Sequence, residues 1–146
     1  MPIGKPTNKI LAAGSPIVDE CVTEDTSVKP GLLVIKGTAD HQVGLAGAAA
    51  VNVHGVADYD PRYPITDVFP DNHPVRVLSG SIVVVLTLAE SQTISKGDKL
   101  MAAANGQVQA YPATPSAGDE EKIIGVAEES VTTGAGETKP ILVELK

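Results

Sequence analysis

A chain of 146 residues with 42% hydrophobic side chains can bury a real core, as one domain or as two fused lobes. Its 18 acidic residues outnumber 11 basic ones, giving a net charge of −7. There is no basic run, which disfavours nucleic acid as a direct ligand, because gripping a phosphate backbone takes clustered Lys or Arg. With no Trp, a single Phe (Phe69) and three Tyr, the core falls to Val, Ile, Leu and Ala, and so modest a core gains from a partner subunit.

Residues 1–16 differ from the rest. Met1 to Leu11 carries two prolines, two lysines, no acid and scattered apolar residues, and lacks the apolar stretch of a signal peptide. This reads as an extended N-terminal arm that either orders on a partner or frays. Residues 17–146 then read as one β domain. Fourteen Gly and eleven Pro punctuate short apolar runs at nearly regular intervals, which argues for many short strands and few or no helices. The expected strands are Ile17–Val22, Leu32–Lys36, Ala48–Val53, Val75–Leu78, Ser81–Leu88, Lys99–Ala103, Gln107–Tyr111, Lys122–Glu128 and Pro140–Leu145. The segment 44–50 reads equally well as a short helix or as a loop entering a strand. Cys21, alone in the chain, is a small apolar residue of the first strand and forms no intrachain disulfide or cysteine metal cluster. Ile82 to Leu86 is apolar on both faces and belongs at the centre, covered from both sides. The longest strongly apolar run, Ile82 to Leu88, is broken by Thr87 and far too short to cross a bilayer, which points to a soluble protein made in a cytoplasm, with no membrane partner. Asn105-Gly106, between two apolar runs, predicts a tight type I′ hairpin. Ile141, Val143 and Leu145 alternate with Leu142 and Glu144 in the last strand.

One small unit is written twice. Gly55-Val56-Ala57-Asp58 and Gly125-Val126-Ala127-Glu128 each follow a glycine turn, at Gly31 and Gly97, with spacings of 24 and 28 residues. The halves fall at about 28–57 and 94–128, with extra length in the second at Pro112–Glu121. A proline-rich connection at 58–74 is expected to link them. It holds Tyr59, Tyr63, Arg62 and Phe69, and suits either a contact surface or packing between lobes.

Chemistry is less plainly written. No phosphate-binding glycine loop, paired-histidine zinc helix, Cys-x-x-Cys pair, nucleophile elbow or glycosylation acceptor is present. His54, Asp58 and Asp60 could bind a metal or perform acid–base work, although strand alternation alone puts them on one face. His41 and His73 fall in loops. A swinging-arm carrier of the biotinyl or lipoyl type also has duplicated halves, but presents a lysine at a hairpin tip. The tip here is Asn105-Gly106, and the nearest lysine, Lys99, lies at the start of the incoming strand.

The order of segments resembles that of phage capsid decoration, or head cement, proteins, similar to the lambdoid head decoration protein. The words that carry it are Lys29-Pro30-Gly31, Gly55-Val56-Ala57, Lys96-Gly97-Asp98, Asn105-Gly106, Ile124-Gly125-Val126-Ala127-Glu128 and Ile141 to Leu145. The resemblance implies a non-enzymatic β-barrel or β-tulip-like virion protein without a cofactor or bound metal. It implies a homotrimer on the outer surface of the capsid that binds the major capsid protein and stabilises the expanded lattice. The candidate contacts to capsid or neighbour are Pro2, Ile3, Pro6, Ile10 and Leu11 in the arm, and Tyr59, Arg62, Tyr63 and Phe69 in the connection. Two readings stand beside this one: a small β-fold metal-binding or hydrolytic domain using His54, Asp58 and Asp60, and a β-clip binding module of a larger assembly.

Overall fold

A computed structural model describes residues 5–6 and 9–146. Its strands in chain order are β1 (Leu11–Ala13), β2 (Ile17–Thr23), β3 (Leu33–Lys36), β4 (Gln42–Leu45), β5 (Val53–Ala57), β6 (Pro74–Ser79), β7 (Val83–Leu88), β8 (Thr93–Ile94), β9 (Lys99–Ala102), β10 (Val108–Ala110), β11 (Ile123–Ala127), β12 (Val131–Thr132) and β13 (Lys139–Leu145). Two short 3-10 turns, Ala104–Gly106 and Asp119–Lys122, are the only helical pieces among the described residues.

The strands close into two five-stranded barrels, which leaves few free edges. The first runs β2-β4-β3-β5-β6 and returns to β2. The second runs β7-β10-β9-β11-β13 and returns to β7, with β1 added beside β7. The two orders correspond strand for strand, down to the parallel pairs β2–β4 and β7–β10. The repeat is therefore five strands deep. The connection 58–74 does not link the halves as expected: it joins β5 to β6 inside the first barrel, and the chain passes between barrels at Gly80–Ile82. The physical reason is closure, since each Gly-Val-Ala strand needs flanking strands before and after it in sequence to complete a barrel.

The duplicated words do the same work in both barrels. Gly31 and Gly97 hold positive φ values of 86° and 94°, which favour glycine. Their N–H groups donate to the carbonyls of Ala57 and Ala127 at 3.0 and 2.8 Å. Gly55 and Gly125 lie flat against the next strand, where a Cβ would collide with the carbonyls of Leu78 and Glu144. Immediately before each glycine the register slips by one residue, so that His54 and Ile124 are the extra residues of two equivalent β-bulges.

One continuous core runs through the second barrel and across to the first. Val84, Leu86, Leu88, Leu100, Val108, Ile141 and Val143 fill it, and Leu33, Val56 and Leu78 join it from the outer face of the first barrel. The first barrel has its own interior of Cys21, Val28, Val34, Val43, Ala57, Phe69, Val75 and Val77. The covered, central position expected for β7 is observed. Its inner face enters the core, and Val83 and Val85 on the other face are buried with Leu142 against Ala12 and Ala13. Asn105 and Gly106 both take positive φ, and the Gln107 N–H donates to Ala104, as a type I′ turn requires.

The structure departs from the sequence reading elsewhere as well. Residues 48–52 form turns rather than a strand, with Ala49 at φ 57° and its N–H donated to Ala102 of the other barrel. Of these residues Ala50 packs against the shared core, while Val51 stays exposed. The strand Gln42–Leu45 was not expected, because Gly44 disguises it. Glycine fits there because the Glu24 carboxylate occupies the space a side chain would need. Finally, the N-terminal segment is built into the fold from Ile10 onward. Ile10 is 3% exposed in the shared core, its carbonyl accepts from the Val85 N–H at 2.8 Å, and Leu11–Ala13 pairs with β7. Pro2 and Ile3 lie outside the described residues.

Candidate functional site

The β5–β6 connection is a tied-down structure. Asp60 organises it, accepting from the Arg62 backbone N–H at 3.0 Å and the Arg62 guanidinium at 2.8 Å, with His73 Nε2 at 3.2 Å. The side-chain bonds from Arg62 hold the Asp60 carboxyl well below the usual carboxylate range, and the Arg62 N–H and His73 add to this. Further along, the Phe69 N–H donates to Val28 at 2.7 Å. His73 stacks on Phe69 with ring centres 5.3 Å apart and meets Tyr63 edge-on at 5.0 Å. Phe69 is thereby drawn into the interior of the first barrel at 1% exposure. It is a core residue and not a surface contact. As the chain's one Phe, it was placed in a loop by sequence while its burial depended on the barrel behind that loop.

The other connection residues stay at the surface. Arg62 is exposed, while Tyr59 and Tyr63 are half-buried. Tyr59 and Arg62 share a cleft of about 310 Å³ with Asp58, Glu20 and Arg76, where Arg76 lies 3.7 Å from Asp58. On the same connection, Ile65 and Thr66 line a second cavity of about 310 Å³ with Lys5, Pro6, Lys9, Ile10 and Lys29. The two segments singled out as contact candidates therefore converge. Three lysines gather there on a chain of net charge −7, with Lys5 bridged to Glu129 at 3.0 Å and donating to the Pro140 carbonyl at 3.2 Å.

His54, Asp58 and Asp60 are not brought together. Among the described residues the one cluster with metal-ligating atoms in mutual reach is Asp19, Cys21 and His54. The bulge explains the separation, because it turns His54 toward β2, and Asp58 and Asp60 have arginine partners of their own. His54 Nε2 lies 2.7 Å from Asp19 Oδ2, and the Cys21 thiol donates to the same oxygen at 3.5 Å. The His54 bond, then the Cys21 bond, lower the Asp19 pKa. Burial, then Asp19, pushes the Cys21 thiol up to about 11, so it is no activated nucleophile. His73, the buried histidine of the β5–β6 connection, is held between Asp60, Phe69 and Tyr63.

Comparison with known proteins matches this architecture. The profile of a family of phage structural cement proteins (E217 gp24/Pam3 gp6) matches residues 2–146, nearly the whole chain. The chain belongs to this family of structural cement proteins. The role that follows is structural and capsid-stabilising, and its place is the phage virion capsid. Among solved structures, the N-terminal base of the head fibre gp8.5 of bacteriophage phi29 is similar in fold. Its TM-score is 0.57 at 13% identity, over 90% of this chain and 95% of that one. Comparison with curated protein sequences returns no match. A cement protein works through its outer surface, so the convergence of the N-terminal segment with the β5–β6 connection is its candidate functional site. Sequence named both segments but held no sign that Lys29, from the turn before β3, joins them.

Proposed function

We propose that this protein is a homotrimeric cement protein bound to the outside of the expanded capsid lattice, where it clamps neighbouring major capsid subunits. The observation that carries this reading is the whole-chain match to structural cement proteins, and the converging N-terminal segment and β5–β6 connection supply a surface for it. The lattice-facing contacts are assigned to Pro6, Lys9, Tyr59, Arg62 and Tyr63, with Pro2 and Ile3 extending the same segment; Ile10 and Leu11 act by holding that segment to β7. The mechanism is linkage. A protein that binds the expanded lattice and not its precursor stabilises the expanded form by mass action. Three such surfaces on one trimer bind far more tightly than one, because the second and third contacts form at high effective concentration.

The test is co-sedimentation of the purified protein with expanded and unexpanded capsids, with its mass in solution measured by light scattering. A trimer that pellets with expanded capsids only, and loses affinity on the double substitution Arg62→Ala and Lys9→Glu, is the expected result. A strict monomer that fails to pellet with expanded capsids refutes the proposal.

A further inference from the structure

The duplication supplies an internal comparison that bears on the mouth of the first barrel. Asp19 lies opposite Val77 in the β2–β6 ladder, and Val84 lies opposite Val143 in the β7–β13 ladder. Val77 and Val143 are equivalent, because each faces the alanine of its Gly-Val-Ala word. It follows that 17–23, Ile-Val-Asp-Glu-Cys-Val-Thr, corresponds to 82–88, Ile-Val-Val-Val-Leu-Thr-Leu. Asp19 then stands for Val84, Cys21 for Leu86, and the bulge residue His54 for Ile124. In the second barrel all three positions are apolar and belong to its core or pack on it. The first barrel has exchanged that apolar plug for a carboxylate, a thiol and an imidazole.

We propose that Asp19, Cys21 and His54 form a zinc site that closes the mouth of the first barrel. The three ligand atoms lie within 4.8 Å of one another. Bond lengths of about 2.0–2.3 Å place the ligand atoms of a tetrahedral zinc site roughly 3.3–3.8 Å apart. Cys21 Sγ and Asp19 Oδ2, at 3.5 Å, already meet that spacing. His54 Nε2 and Asp19 Oδ2, at 2.7 Å, must open by about half an ångström. The Asp19 side chain, 52% exposed, can swing to allow this. Sulfur, imidazole and carboxylate together suit borderline-soft zinc better than magnesium or calcium. Space for the ion and a fourth ligand exists in front of the triad. A cavity of about 490 Å³ is lined by the three residues together with Lys36, Asp40 and His41, so water or His41 can complete the set.

Asp19 and Cys21 are two apart on one face of β2, and His54 is fixed by its bulge on β5. Each strand pairs with β6, from opposite sides, and they do not pair with each other. The ion would staple them across the intervening strand. On binding, the Cys21 sulfur exchanges its proton for the metal and the proton passes to solvent.

The experiment is a titration of chelator-treated full-length protein with zinc chloride, and separately with cobalt chloride. One zinc per chain is expected, with a rise in the thermal transition as zinc is added. Cobalt should give a thiolate-to-metal charge-transfer absorption that Cys21→Ser abolishes. Asp19→Asn and His54→Gln, both at positions where a polar side chain stays partly hydrated, should fold normally. Each should weaken zinc binding by more than the roughly 10–100-fold that outer-shell partners contribute. Absence of stoichiometric binding, or binding unchanged in both Asp19→Asn and His54→Gln, overturns the assignment.

Discussion

Replacing Ile10 by Ala tests whether the N-terminal segment belongs to the fold. Ile10 is 3% exposed and sits in the core that spans both barrels, with its carbonyl bonded to Val85 in β7. The substitution removes three carbons, a transfer loss of about 2.4 kcal/mol at roughly 0.8 kcal/mol per methylene. The cavity left behind adds to this, which puts the total between about 2.4 and about 5 kcal/mol. For a chain of this size each kcal/mol lowers the melting temperature by about 2–4 °C, so a fall of about 5–20 °C is expected. Thermal denaturation followed by circular dichroism measures it. The neighbouring substitution Lys9→Ala, on an exposed side chain, is the control and should stay within about 0.5 kcal/mol of the parent. Equal melting temperatures for Ile10→Ala and Lys9→Ala would refute the reasoning, since they would mean that a free arm and not a core residue had been altered.

Gly55→Ala and Gly125→Ala should each cost about 1–3 kcal/mol or more, because the new methyl meets backbone carbonyls of the adjacent strand that cannot retreat without opening the ladder. Denaturant midpoints measure this, and a neutral outcome at both would contradict the paired role of the glycines. The Asp60 pKa is depressed in the fold, so its contribution to stability is complete above the unfolded value of about 3.9 and is lost as pH falls from there through the folded value. The stability gap between the parent and Asp60→Asn should therefore narrow below about pH 4 in urea melts. A gap that stays constant with pH would remove Asp60 as the organiser of its loop.

Turn chemistry was the most legible level of the sequence. Gly31, Gly97 and Asn105-Gly106 announce themselves because positive φ is a local demand that few residues meet, and the strands between such turns followed from alternation. The second barrel was read nearly strand for strand, since its apolar runs are long and its turns are marked. The strand Gln42–Leu45 was lost to Gly44, whose cause, the Glu24 carboxylate, lies 20 positions away in sequence. His54 stands beside Asp58 and Asp60 in sequence, yet the side chains that barrel closure brings within its reach are Asp19 and Cys21 on β2.

By itself, then, the sequence determined that the chain is a duplicated β protein, where its turns fall, and which family its ordered words resemble. These depend on backbone preferences and alternation, which act over a few residues. Tertiary structure alone decided that there are two barrels, that Ile10 and Phe69 are core, and that the N-terminal segment meets the β5–β6 connection. It also decided that Asp19, Cys21 and His54 lie within reach of one another. Each of these follows from closing a sheet on itself, which pairs strands far apart in sequence and fixes by register which side chains turn inward together.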